Sequence, residues 1–433
     1  MRLKRNIARL LLPVLVLTAC DGWNADKESI RNVCIIYSAG YNNLSPDLTE
    51  DLNDLATKGY VPKKKAQDVL LVASRRTADA KGADYKTPTA AYLYRLYKHN
   101  NKLVRDTLFA LQEGVSMLEA DAMRTLLGKA RDLYPSDHYG MVFTSHGNGW
   151  LPSGFYANPG SAPKSSGQRR ARRIEAPDNF PLYGTPGVIR TKSLGPEFYY
   201  EPEGTTRLST EMDIDDMAAA IPMHLDYLLF DACLMGGVEV AWALREVADY
   251  VGFSQAEVLT DGFDYTTLAS HLLQATPDPT AVCDDFYQYY EKQSKESHSA
   301  TISLIRTGEL ASLAQACKPL FEMYRAEISK LKTSGVQGFG GTKHYFYDLA
   351  DILAKAGASA EEMTGVQAAL DRCVAYKATT GQYYSVYGGS FEIKAFCGLS
   401  MYLPSTNAVS TGKAYLDEYY RTLGWNQAAE LVK

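Results

Sequence analysis

A histidine and a cysteine occupy matching positions in this chain of 433 residues. The segments are Phe143-Thr144-Ser145-His146-Gly147-Asn148-Gly149 and Phe230-Asp231-Ala232-Cys233-Leu234-Met235-Gly236-Gly237. Each is an apolar, strand-like run that stops at a reactive side chain with glycine close behind. An imidazole and a thiol delivered to one edge of a sheet can act as a proton-transfer group and a nucleophile. Attack on a carbonyl requires a partly ionised thiol and donors for the tetrahedral oxyanion. The helix expected from Val238 would favour negative charge near Cys233. Gly147 lets backbone approach a substrate closely, and its N–H, with that of Cys233, is a candidate oxyanion hole. His146 would protonate the leaving amine and help activate water for deacylation. This chemistry is that of a cysteine hydrolase. Each residue taken alone also fits a structural histidine or a core cysteine; their joint placement favours the reactive pair. His99, His138, His224, His271, His298 and His344 lack that setting, and His138 and His224, each just before a strand, are the nearest competitors.

The elements that must position the pair are legible as apolar runs. Strands are expected at Val33–Tyr37, Asp68–Ser74, Tyr139–Ser145, Leu225–Asp231 and Tyr250–Ser254, with Leu103–Leu111 ambiguous. Helical spacing is expected over Asn43–Lys58, Glu119–Leu133 and Val238–Val247, and after Asp213, a candidate N-cap. Alternating strands and helices indicate parallel βαβ units, and continuous apolar strands fit a sheet covered on both faces. Ligands bind such sheets at the carboxyl ends of the strands, where His146 and Cys233 both fall. Between those two strands, residues 151–204 form a Gly-, Pro-, Ser- and Arg-rich insertion centred on Ser165-Ser166-Gly167-Gln168-Arg169-Arg170-Ala171-Arg172-Arg173; it is either functional or a solvated basic loop. Long helical patterns follow Asp285, and strand-like runs occupy Tyr383–Tyr387, Ser390–Cys397 and Leu399–Leu403. The organisation expected is a leader over 1–20, a catalytic domain over 21–305 and a C-terminal α+β subdomain over 306–433.

Composition is that of a folded globular protein, and a formal net charge of -5 argues against nucleic acid as a general partner. The 30 tyrosines suit packing surfaces with a wet edge but name no ligand. Arg2, Lys4, Arg5 and Arg9 precede an apolar run, Leu10–Leu17, too short to span a bilayer. It ends in Leu17-Thr18-Ala19-Cys20, which resembles the bacterial lipobox. Cys20 is therefore the expected lipidation site, anchoring an exported domain to the cell envelope, on its periplasmic side or at the surface. Cys34, Cys283, Cys317, Cys373 and Cys397 show no zinc spacing and read as small buried hydrophobes, with a disulfide left open.

Strand-Ser-His-Gly followed by strand-Asp-Ala-Cys resembles the caspase-like cysteine peptidases, an α/β/α sandwich around a mostly parallel sheet. The His-to-Cys separation is longer than the ≈ 50 residues of the caspase signature, and Asp231 replaces its glutamine. The pattern is most similar to the clostripain family, which shares Asp-Ala-Cys and a long insertion. Ser254-Gln255-Ala256-Glu257-Val258-Leu259-Thr260-Asp261-Gly262-Phe263-Asp264-Tyr265 resembles that family's substrate loop, and Gly398-Leu399-Ser400-Met401-Tyr402-Leu403-Pro404 a C-terminal family segment. The resemblance implies an endopeptidase that cleaves after arginine or lysine through a thioester on Cys233. It places the carboxylates that recognise the basic side chain at Asp231 and Asp261, although Asp261-Gly262 is also a common turn signal. Trp150 is a further candidate pocket wall. Self-cleavage is implied within the insertion, at Arg169, Arg170, Arg172 or Arg173. No cofactor is required; calcium is implied for some members, yet no EF-hand-like loop appears here. The competing readings are an idle surface lipoprotein that binds peptide or glycan in the same cleft, and a transpeptidase or ligase on the same scaffold.

Overall fold

The computed structural model describes residues 30–155, 172–175, 197–200, 207–341, 345–406 and 413–433. The leader, Cys20, Arg169 and Arg170 lie outside these residues, so the expectations placed on them carry no structural account. Nine strands form the central sheet: β1 (Asn32–Gly40), β2 (Asp68–Arg76), β3 (Tyr92–His99), β4 (Lys102–Ala110), β5 (Tyr139–Thr144), β9 (Leu225–Asp231), β10 (Ala248–Phe253), β11 (Thr301–Arg306) and β13 (Val374–Thr379). Their order is β13-β11-β10-β9-β5-β1-β2-β3-β4. The five strands expected from apolar runs are the five central ones, β10-β9-β5-β1-β2, and all pair in parallel. β1 is buried along its whole length, as a central strand of a sheet covered on both faces must be. The fold is the α/β/α sandwich expected, with antiparallel strands added at both edges.

The edges are where periodicity misleads. The run over Leu103–Leu111 is β4, paired with β3 through a two-residue turn at Asn100-Asn101, both at positive φ (50° and 60°). That turn matches the right-handed twist of a tight hairpin. β3 and β4 carry Arg95, Lys98, Lys102 and Arg105 among their apolar residues, which hides a strand whose outer edge meets solvent. β13 lies beyond residue 305 yet completes the main sheet, so the C-terminal part is built onto the catalytic sheet rather than beside it.

The insertion contains structure that its composition hides. β6 (Arg172–Glu175), β7 (Glu197–Tyr200) and β8 (Arg207–Glu211) form a small antiparallel sheet in the order β6-β8-β7. Glu197 is fully buried; its Oε2 pairs with Arg75 Nη1 at 2.8 Å and accepts the Met117 N–H at 2.9 Å. Arg75, at the carboxyl end of β2, also lies over the Tyr41 ring at 3.9 Å. A buried charge pair is tolerated only when both partners are held this closely. Asp213 precedes the helix Ile214–Ala220 as expected, but its carboxylate accepts the Ser153 N–H at 2.6 Å instead of capping the helix.

The C-terminal elements include β12 (Tyr347–Asp348), β14 (Gln382–Ser385), β15 (Gly389–Glu392) and β16 (Ser400–Met401). β16 reaches the turn after Cys233, where the Ser400 N–H donates to the Gly236 carbonyl at 2.8 Å. Beside it, Glu239 Oε1 accepts from the Tyr402 N–H at 2.9 Å and the Tyr420 hydroxyl at 2.7 Å. Trp150 is buried against Tyr402 and Tyr420, with centroids 5.0 and 5.3 Å apart, and donates to the Tyr345 carbonyl. It therefore cements the C-terminal segment and is not a pocket wall, contrary to the expectation above.

Burial pushes the Glu239 carboxyl up to about 7, opposed by the Tyr420 hydroxyl, the Tyr402 N–H and its own backbone N–H. Its folded value thus lies above the unfolded one, so the neutral form stabilises the fold below about pH 4.5. That contribution is lost as pH rises through about 7. A displacement of this size corresponds to roughly 3 kcal/mol. Glu239→Gln keeps the acceptor and removes the charge. Thermal unfolding should show wild type losing a few degrees between pH 5 and pH 8 relative to the variant; parallel curves would refute this coupling.

Candidate functional site

β5 and β9 are neighbouring parallel strands, and their last paired residues are Thr144 and Asp231. His146 and Cys233 each lie two positions beyond that pair. Adjacent strands run about 4.8 Å apart, so register alone carries both residues to one edge. Gly147 then makes the closest approach: a Cβ there would stand 2.3 Å from the Cys233 carbonyl oxygen and 3.0 Å from Met235 Sδ. Only glycine lets the histidine turn lie against the cysteine turn. His138 and His224 precede these same strands at the opposite edge, where they pair with Asp226 and Asp249 at the surface. They are thereby removed as competitors.

The His146 ring is nearly buried, at 7% exposure, and its Nε2–H donates to Asn43 Oδ1 at 2.8 Å. That bond selects the tautomer and leaves Nδ1 as the basic nitrogen. Asn43 was not expected from the sequence, although its signal was present. It follows the carboxyl end of β1, the strand adjoining β5, in a turn that Asn42 Oδ1 secures by accepting the Leu44 N–H. Cys233 is 0% exposed. Its Sγ accepts the Val258 N–H at 2.9 Å, and its S–H donates to the Val258 carbonyl at 3.5 Å. The N–H aimed at the sulfur favours the thiolate, while the carbonyl beside it favours the protonated thiol. The expected helix begins at Val238, but Leu234 (φ 60°) turns the chain aside first. The Leu234 and Gly236 N–H groups are committed to the Ala256 and Ser254 carbonyls. The charge-stabilising contact seen at the sulfur therefore comes from the 254–258 segment rather than from the helix end.

Asp231 is buried, and its Oδ2 accepts from the Tyr265 hydroxyl at 3.0 Å and from Thr144 Oγ1 at 3.3 Å. Asp261 is exposed and accepts from the Tyr289 hydroxyl at 2.7 Å. Burial, then the Asp261 bond, pushes that hydroxyl up to about 12. Tyr290 is raised by burial first and then by both Asp261 and Asp231, so one ring lies in the field of the two carboxylates. Asp261 is thus placed to meet solvent or ligand, whereas the Asp231 side chain is buried. A separate cleft adjoins His146, lined by Phe143, Gly147, Phe230 and Met235. Neither Asp231 nor Asp261 lines it; the carboxylate in its lining is Glu211.

Among the described residues, the other cysteines are buried and free. Burial raises the Cys34 and Cys373 thiols to about 12, which keeps them unreactive. Among the described residues, no group of three or more His, Cys, Asp or Glu side chains could hold a metal ion. No described helix is long and apolar enough to cross a membrane.

Known proteins share this fold. No curated protein sequence matches the chain. Among solved structures, the chain resembles an inactive zymogen C11 protease from Parabacteroides distasonis: 25% identity and TM-score 0.71, covering 94% of this chain and 99% of that one. It has the same fold as a secreted C11 cysteine protease from Bacteroides thetaiotaomicron called iotapain, at 22% identity and TM-score 0.69, covering 93% and 99%. A structure of a secreted C11 cysteine protease from that organism with an irreversible peptide inhibitor aligns at 24% identity and TM-score 0.69, covering 92% and 99%. A sequence model of the clostripain family matches residues 203–431, more than half of the chain. The protein belongs to the clostripain family of cysteine endopeptidases.

Proposed function

We propose that this endopeptidase cleaves after arginine or lysine with Cys233 as nucleophile and His146 as proton-transfer group. The observation that carries the reading is the register of β5 and β9, which delivers both residues to one edge with Gly147 against the Cys233 carbonyl. His146 Nδ1 takes the thiol proton, and the thiolate attacks the scissile carbonyl. The oxyanion is held by the Gly147 and Cys233 N–H groups. The imidazolium protonates the leaving amine, and the resulting thioester is hydrolysed by water that His146 activates. Asn43 holds the ring in the tautomer this sequence needs. Asp261 pairs with the substrate's basic group, and buried Asp231 adds to the negative potential.

The complete burial of Cys233 fits a latent chain that opens on processing. The cut would fall in the basic stretch of the insertion, at Arg169, Arg170, Arg172 or Arg173. Arg172 and Arg173 pair with Glu211 and Thr210 in β6 and β8, so scission there first requires β6 to peel away. The substrates are proteins or peptides with a basic residue at the cut. The protein acts outside the cytoplasm, lipid-anchored through Cys20; that one fold relative is described as secreted is consistent with export.

Cys233→Ala and His146→Ala should each lower kcat by at least about a thousandfold on Arg-terminated reporter peptides and leave the chain uncut. Activity retained in Cys233→Ala would end the reading. Asn43→Ala should lower kcat about tenfold or more while KM stays nearly constant, because it acts only through the ring. An unchanged kcat would reduce Asn43 to a structural contact. Asp261→Ala should reduce kcat/KM for Arg and Lys substrates about 10- to 100-fold relative to apolar ones. An unaltered preference in a P1-scanning library would move recognition elsewhere.

A further inference from the structure

The C-terminal part of the chain sends a hairpin to the cysteine. β14 and β15 pair in register, and the turn joining them runs through Val386, Tyr387 and Gly388. Its root is rigid: the Tyr383 hydroxyl donates to the Gly338 carbonyl, and its ring stacks on Phe391 at 5.3 Å. Its tip is held by Glu257, a buried carboxylate whose Oε1 accepts from Ser385 Oγ at 2.5 Å and whose Oε2 accepts the Val386 N–H at 3.2 Å. The Tyr387 N–H adds a bond to Ser385 Oγ at 3.1 Å. Glu257 immediately precedes Val258, whose N–H bonds to Cys233 Sγ. One three-residue stretch, Ala256–Val258, thus touches the cysteine turn, the thiol and the hairpin tip, and a few residues later the chain reaches Asp261. Burial, then Glu257, then the Cys233 charge raise the Tyr387 hydroxyl, which sets that ring in the field of the thiol.

Nothing in folding alone calls for Val386 to be on the tip, since it is an exposed apolar side chain. A rigid, charge-anchored turn that shows valine and tyrosine next to a nucleophile is built to contact something apolar. We propose that Val386 and Tyr387 form an apolar subsite for the substrate residue immediately upstream of the basic one, which makes them specificity-determining residues. The segment that links them to Cys233 continues to Asp261, so they lie on the acyl side of the scissile bond, with the basic side chain. In an extended peptide, neighbouring side chains point to opposite faces. The basic residue then turns toward the aspartates while the one before it turns toward the hairpin.

This subsite rests on the Cys233–His146 reading, and the test separates the two. Peptides with arginine at the cleavage position and Gly, Ala, Val, Leu or Phe before it are assayed with wild type, Tyr387→Ala and Val386→Ser. Unfolding midpoints confirm that each variant is folded, and a substrate-like electrophile labels Cys233 in wild type. Wild type should favour the apolar members over glycine in kcat/KM. In either variant that ratio should fall about tenfold, the scale of one apolar contact in a pocket. If wild type is active and both folded variants keep its ratio, the subsite is overturned alone. A wild type that neither cleaves nor labels after its insertion has been cut overturns the dyad, and this subsite with it. Should both substitutions unfold the chain, Ser385→Ala, which removes the bond to Glu257 and the acceptor of the Tyr387 N–H, must still lower the ratio or the proposal fails.

Discussion

The structure depends on the parallel pairing of β5 with β9. Each strand ends in a different reactive residue, and their separation in space is set by backbone hydrogen bonds rather than by any contact between the side chains. A slip of one residue would turn every side chain of one strand to the other face and remove the pair. That slip is blocked by volume: a Cβ on Gly140 would sit 1.9 Å from the Tyr227 ring, directly across the register. Gly147 repeats the device at the edge, where the two turns meet. Two glycines, one in the sheet and one above it, define how close the histidine and cysteine segments can come.

Around this seam the protein places polar groups where a plain core would use apolar ones. Glu239, Glu257, Asp231 and Glu197 are all buried, and each ties a separate segment to the carboxyl edge of the sheet. Glu239 holds the residues around Tyr402 and Tyr420, Glu257 the hairpin tip, Asp231 the Tyr265 turn and Glu197 the insertion. A buried carboxylate accepts several bonds in fixed directions, so it specifies geometry better than a methyl group of similar size. The cost is desolvation, visible in the Glu239 carboxyl that burial pushes toward neutrality. Loops that must sit at set positions about a reactive thiol justify that cost.

Much of this was legible in the sequence because central parallel strands are continuously apolar. All five were found, and with them the edge on which His146 and Cys233 stand. What escaped was held by tertiary contact. β3 and β4 mix lysine and arginine with apolar residues because one side meets water, so their period is blurred. The insertion looked structureless, yet β6 and β7 are each stabilised by pairing with β8, which directly follows it. Trp150 was a candidate pocket wall; its burial against Tyr402 and Tyr420 comes from residues far along the chain. Asn43 could have been suspected, being polar and just past β1, but only the folded sheet shows that β1 adjoins β5. The clostripain resemblance held for the family and fold, since its motifs sit on the most regular strands.

The seam between β5 and β9 also divides the chain in two along the sequence. Everything through His146 lies before the insertion, and everything from β9 onward lies after it. A break within residues 156–196 would leave the imidazole on one polypeptide and the thiol on the other. The two pieces would still share one sheet, joined by the β5–β9 ladder and by Glu197 locked into Arg75. The cut protein would then be a heterodimer made from one gene product, whose reactive centre exists only at its subunit interface.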